Sequence, residues 1–374
     1  MGTLFGYIIY SLLKSWLRGG MYEAFFAMLL FLSITFLGGC TQTATKISEN
    51  SDETIQPSVE LSFFDDMLSH NNNASDAICY DWLEAQIHQF SIDDVKNAFF
   101  ADDPIISDEN SDYGSYSVYV ALGLSGAYLQ MEYNSTTRQT IFYKTPWYDP
   151  KVHLLVKDYP ADIDSFNKNN IDKLPQGEDL AFATVQEAED SVRKVLELLG
   201  CENVGTAEVY SLSPEILTSL DESIRRVDDD GNDMPMQTWT DEDACYYIVF
   251  REEYDGLVFS REGIQWEGTN IVAYYSARGI EYMSISTPLE VTATGQQIEV
   301  PSVEDAKAMI TDKYNSIIMT APATVEEISL EYIMAVDQGA LVPSWRIIVD
   351  ESTAQIPYKC CVRFDALTGK ELTW

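Results

Sequence analysis

The chain has 374 residues and sets 23 Lys and Arg against 60 Asp and Glu, a formal net charge of −37. A surface of that sign repels phosphate backbones and anionic lipid and attracts cationic peptides or divalent ions, which excludes DNA and RNA as partners. With 46% apolar and 12% aromatic residues it is still no disordered polyanion, and its length suggests two or three packed domains.

Ala24–Leu37 is a nearly unbroken apolar run, shorter than the roughly 20 residues of a transmembrane helix and in the range of a signal-peptide core. No Lys or Arg lies between Met21 and Gly39, so with Met1 as the start the preceding positive charge comes from Lys14 and Arg18. The run ends at Leu37-Gly38-Gly39-Cys40, which lacks the A-x-A spacing of an ordinary secretory cleavage site. These four residues resemble a bacterial lipobox, with an apolar residue at minus three, small residues at minus two and minus one, and then the cysteine. The resemblance implies cleavage before Cys40, a diacylglyceryl thioether on its sulfur, and a protein held at the extracytoplasmic face of the cell membrane. One acyl chain anchors marginally, whereas two or three hold durably. Residues 1–39 are therefore expected to be a signal peptide. Residues 40–57 are expected to be the lipidated Cys40 and a tether, since Thr41–Pro57 is rich in Thr, Ser and Glu.

Residues 58–180 read as an N-terminal α+β region. Residues 58–103 lean towards helix and end in SIDDVKNAFFADDP, where Ser91 suits an N-cap and Pro104 follows the stop. The period then changes: SYSVYVALG, GAYLQMEYN and RQTIFYKTP predict an antiparallel meander over Ser115–Pro146. Residues 147–180 show no clear period and read as a linker.

Residues 181–295 open on a capped helix. Thr184 and Glu187 form a capping box, Val185, Ala188, Val192, Val195, Leu196 and Leu199 share a face, and Gly200 supplies the stop. Strands follow at AEVYSLS, CYYIVF, IVAYYSA and IEYMSIS. Residues 296–374 repeat the order. Ser302 and Asp305 cap a helix, and strands follow at ISLEYIMAV, PSWRIIVD and YKCCVRFDA, with a Gly turn before GKELTW. The spacing predicts an internal repeat whose first copy carries a dispensable insertion, 213–240. The expected class is α+β: tandem helix-plus-antiparallel-sheet modules after a small helical and β-meander N-terminal region.

The second copy, with the helix bearing Ala306, the strand LEYI, LVPSWRIIV with Pro343 and Trp345, and the turn FDALTGKEL with Asp365, Ala366, Thr368 and Gly369, resembles the PepSY-type and YycI/YycH-type domains of bacterial extracytoplasmic proteins. The resemblance implies helix-plus-sheet modules without catalytic residues that bind or restrain other proteins. The whole chain looks most like lipoproteins of Clostridia-like Gram-positive bacteria.

The chemistry-bearing residues are sparse. His70, His88 and His153 are the only histidines, with no spacing suited to zinc or to a triad. GLSGAY at Gly123 misses the G-x-S-x-G elbow, and the S-x-x-K run Ser191–Lys194 lies on the polar side of an amphipathic helix. Asp228, Asp230 and Asn232 start like a calcium loop, but Asp233 replaces the required Gly and Trp239 the closing Glu. The acidic stretch 228–243 thus reads as a solvated loop, with weak calcium binding left open. Cys79, Cys201, Cys245, Cys360 and Cys361 are odd in number, without a metal or disulfide spacing, and are expected to be buried thiols. No catalytic, cofactor or metal residue is assigned; Cys40 is the expected lipidation site. The expected function is a membrane-anchored binding or regulatory module for a protein or peptide. An extracellular hydrolase and a calcium-dependent surface adhesin are the alternatives.

Overall fold

The computed structural model describes residues 61–63, 78–134, 138–156, 174–223, 236–261, 271–317, 322–335, 339–352 and 358–372. Cys40, the tether, His70 and Asp228–Asp233 lie outside the described residues. Pro57–Trp374 forms one compact unit.

The fold is α+β and dominated by antiparallel pairing. β3 (Ile105–Asp112), β4 (Ser117–Gly123), β5 (Tyr128–Asn134) and β6 (Arg138–Lys144) form a meander. It continues through β11 (Gly279–Ser286), β10 (Ile271–Ser276), β8 (Cys245–Tyr254) and β7 (Val204–Leu212) into one antiparallel sheet. A second sheet runs β12 (Leu289–Val300), β2 (Ile78–Ile87), β14 (Ala340–Asp350), β13 (Ala323–Ala335), with β15 (Lys359–Asp365) on β14. β1 (Leu61–Phe63) and β9 (Leu257–Arg261) pair in parallel with β13. The β8–β9 hairpin, closed at Tyr254–Leu257, joins the two sheets.

Helices α1 (Ile92–Phe100) and α3 (Val185–Leu198) cover one face of the first sheet. α2 (Pro150–Val156), α4 (Pro214–Ser223) and Trp239 cover the other, and α5 (Val303–Ser316) covers the second sheet. β8 is buried on both sides, which is why its sequence is apolar without alternation. Tyr246, Ile248 and Phe250 face α3, while Cys245, Tyr247 and Val249 face α2 and α4.

Local sequence accounts for the helix ends. Both predicted capping boxes form, Thr184 with Glu187 and Ser302 with Asp305. α3 ends at Gly200, whose φ of +73° only glycine adopts without strain, and Cys201 N donates back to Leu196 O at 3.0 Å. After α3 come β7, β8, β10 and β11, each antiparallel to the next. After α5 come β13, β14 and β15 in the same relation, then a bridge from Phe364 to Glu371. Trp345 is 2% exposed.

Two expectations are corrected. Residues 78–87, read as helix-leaning, form β2. Its pairing steps from Asp81–Gln297 to Leu83–Ala293 across a bulge, so Tyr80 and Leu83 both reach the core at a spacing that mimics a helix. The segment 147–180 is no bare linker: α2 buries Val152, Leu155 and Val156, and Leu174 joins the same cluster. Of the segment expected to be an insertion, 213–240, Leu217, Leu220 and Trp239 pack with Tyr210, Tyr247 and Tyr274 on the second face of the first sheet.

Candidate functional site

A shallow, solvent-open recess lies where the end of β6, the start of β8 and the β10–β11 turn meet, lined by Trp147, Tyr148, Asp149, Asp243, Arg278 and Glu281, among others. Each side is set locally. Thr145 N donates to Glu281 O at 2.8 Å, which fixes the turn that carries Trp147. Asp149 accepts from Lys151 N at 2.9 Å at the start of α2 and from Gln237 Nε2 at 3.1 Å. Asp243 accepts from both the N–H and the hydroxyl of Thr240 at 2.8 Å.

The floor is charged and closed. Glu281 is buried and accepts from Ser276 Oγ at 2.5 Å and Arg278 Nε at 2.7 Å, and the same guanidinium reaches Glu242 O at 2.9 Å. A buried carboxylate held this way shapes the turn. Behind it lies a chain of rings. Tyr148 stacks on Tyr282 at 4.6 Å, and Tyr274 meets Tyr247 at 5.0 Å and Tyr148 at 5.7 Å. Burial drives the Tyr274 phenol well above its ordinary value. Trp147, by contrast, is 54% exposed at the rim. An open indole near the carboxylates of Asp149 and Asp243 is the kind of surface that holds a small cationic group.

The remaining chemistry-bearing residues are dispersed. His88 lies by the C-terminus of α3, its Nε2 at 2.8 Å from Leu199 O and its Nδ1 at 3.1 Å from Glu290. His153 lies on the opposite face of the first sheet, with Nδ1 at 3.2 Å from Tyr274 Oη. Ser191 donates to Glu187 O within its own helix at 2.7 Å, and Ser125 of GLSGAY bonds Asp103 at 2.6 Å in the β4–β5 hairpin. Trp239 donates to buried Asp221 at 3.0 Å as a core residue. Among the described residues no group of three or more His, Cys, Asp and Glu is placed to hold a metal ion. None of their helices is long and apolar enough to cross a membrane.

No protein-family model matches the chain, and no curated protein matches it. A solved structure does. The crystal structure of an uncharacterized protein from Eubacterium rectale ATCC 33656 aligns with a TM-score of 0.53 at 16% identity, covering 79% of this chain and 86% of that one. At that identity the likeness shows the fold.

The cysteines divide by burial. Cys201 and Cys245 are buried, Cys360 and Cys361 intermediate, and Cys79 exposed, which corrects the expectation that all five are buried. Burial, with Glu252 nearby, pushes the Cys201 thiol up to about 12, and burial also raises Cys245. Iodoacetamide at pH 8 is therefore expected to label Cys79 in the folded protein and to spare Cys201 and Cys245 until denaturant is added. Mass spectrometry finding Cys245 alkylated in the native state would contradict this packing. Burial, with Asp103 nearby, likewise pushes Tyr143 up to about 12. Folding thus keeps the protons on Cys201 and Tyr143 longer than the unfolded chain does. Their contribution to stability is full below the ordinary values of 9.0 and 10.0 and is lost as pH rises towards 12.

The recess was missed in sequence because Trp147, Tyr148 and Asp149 fall in the stretch read as linker. The available signal was WYDP followed by KVHLLV, two aromatics and a capping Asp ahead of a short apolar turn.

Proposed function

We propose that the protein is a lipid-anchored binding or regulatory module on the extracytoplasmic face of the cell membrane. The observation that carries the reading is Leu37-Gly38-Gly39-Cys40 directly behind the apolar run Ala24–Leu37 and ahead of a polar tether. Two acyl chains on Cys40 supply durable attachment, since each buried methylene contributes about 0.8 kcal/mol. The body beyond the tether fits a binding role. Its buried carboxylates are committed to structural hydrogen bonds, as Glu281 is to Arg278 and Asp221 to Trp239, while Trp147 stays open at a recess. The helix-then-antiparallel-strands order that follows both α3 and α5 supports reading residues 181–295 and 296–374 as two related PepSY-like modules. A protein or peptide is the partner class that the acidic surface and the open aromatic rim favour.

In cells fed an alkyne-tagged fatty acid, wild-type protein is expected to carry the tag and sediment with membranes. Cys40→Ser is expected to lose the tag and accumulate as unprocessed precursor, because a hydroxyl cannot form the thioether that cleavage requires. A processed, membrane-held Cys40→Ser protein would overturn the assignment.

A further inference from the structure

We propose that the free edge of β3 is a docking site for an extended basic segment of a partner protein, which adds a strand to the first sheet. The proposal deepens the binding-module reading above and rests on it. Among the described residues β3 is terminal in its sheet and pairs only with β4. Tyr113 N donates to Tyr116 O at 2.9 Å. In antiparallel alternation Ser111 and Glu109 then exchange bonds with β4, and Asp108, Asn110 and Asp112 turn their N–H and C=O groups outwards. Every residue from Ile106 to Asn110 is exposed, so this row of donors and acceptors faces water.

Other edges are managed differently. The outer edge of β7 is capped by Pro175–Gly177, with Ser211 N on Pro175 O at 2.9 Å and Gly177 N on Val209 O at 3.1 Å. β12 is broken by a bulge between Ala293 and Gln297. β3 keeps a continuous register from Ser107 to Asp112 and contains no proline or lysine, the usual residues that blunt an edge.

Charge selects the occupant. The stretch from Asp102 to Tyr133 contains no Lys or Arg, and β3 itself carries Asp108, Glu109 and Asp112, of which Asp108 is already paired with Lys96 of α1 at 2.7 Å. A second copy paired on this edge would set like charges opposite one another, which is destabilising. A strand bearing Lys or Arg would place cations against Glu109 on one face and Asp112 on the other while its backbone completes the ladder. The exposed, stacked pair Tyr113 and Tyr116, 5.2 Å apart, offers rings for the end of such a strand.

The test uses the folded protein and a fluorescein-labelled peptide of valine and threonine with lysines on both faces, with a glutamate-for-lysine peptide as control. Anisotropy should show binding of the lysine peptide alone. Hydrogen exchange should show new protection at the amides of Asp108, Asn110 and Asp112. Asn110→Pro removes an outward N–H without touching the β4 ladder, and Asn110→Ala removes the same side-chain bond to Tyr133 Oη while keeping the N–H. The proline variant is expected to bind about ten-fold more weakly than the alanine variant. A peptide N-methylated at the positions that face β3 should fail in the same way, which checks the result with no change to the protein. Equal binding by the proline and alanine variants, equal binding of the glutamate peptide, unprotected β3 amides, or dimerisation of the protein alone through β3 would each overturn the proposal. Failure here with Cys40 still lipidated overturns the edge site and leaves the membrane anchor standing.

Discussion

Trp239→Ala is expected to cost about 3–5 kcal/mol of stability, read as a lowered urea midpoint with little change in slope. The indole is 7% exposed and packs in the cluster of Leu217, Leu220, Tyr247 and Tyr274. Its Nε1 donates to Asp221 Oδ2 at 3.0 Å, an oxygen that also accepts from Gln237 N at 3.2 Å. Truncation both opens a cavity and takes a donor from a buried carboxylate. Trp239→Phe separates the two effects: it restores most of the ring volume and is expected to retain a loss of about 1–3 kcal/mol from the missing donor. Excision of residues 213–240 is expected to abolish cooperative folding, because it strips α4 and Trp239 from the first sheet and exposes Tyr210, Tyr247 and Tyr274. Survival of that excision with near-native stability would show that this face needs no cover.

Glu331→Ala is expected to be as severe, at about 3–5 kcal/mol. Glu331 is 2% exposed and accepts from Arg363 Nε and Ser260 Oγ, both at 2.6 Å, so it ties β13 to β15 and to β9. Removing it leaves a guanidinium with little access to water. The double substitution Glu331→Leu with Arg363→Leu is expected to recover most of the loss, since an apolar pair of similar volume carries no desolvation penalty. A double-mutant cycle with no coupling between the two positions would show that each side chain is solvated independently.

The parts of the fold that were legible in sequence are those where local chemistry and burial agree. Thr184 and Ser302 cap their helices because their side chains and those of Glu187 and Asp305 satisfy backbone donors within one turn. β10, β11 and β13 were legible from β-branched and aromatic content. β2 was not, because its apolar spacing is set by a bulge against β12, two hundred residues on in the sequence. β3 was not, because IISDENSD has no apolar face to bury and is a strand only by virtue of β4. The recess was hidden for a related reason: Trp147, Asp243 and Arg278 come from three separate turns, and only the sheet brings them together. The packing of 213–240 onto the first sheet was not legible because alignment of two copies says nothing about which sheet face each copy must cover.

The pairing of β2 with β12 and β14, and of β1 with β13, has a consequence for how the protein is made. Synthesis delivers residues 61–87 first, yet their partners span 289–341, with Leu61 set beside Ala323 and Leu83 beside Leu341. Until those arrive, β2 is an unpaired strand with Tyr80 and Leu83 in water, the kind of species that associates with its neighbours. The first sheet can close earlier, since its last strand ends at Ser286. The chain therefore has a built-in order of maturation, in which β1 and β2 wait for partners made about two hundred residues or more after them.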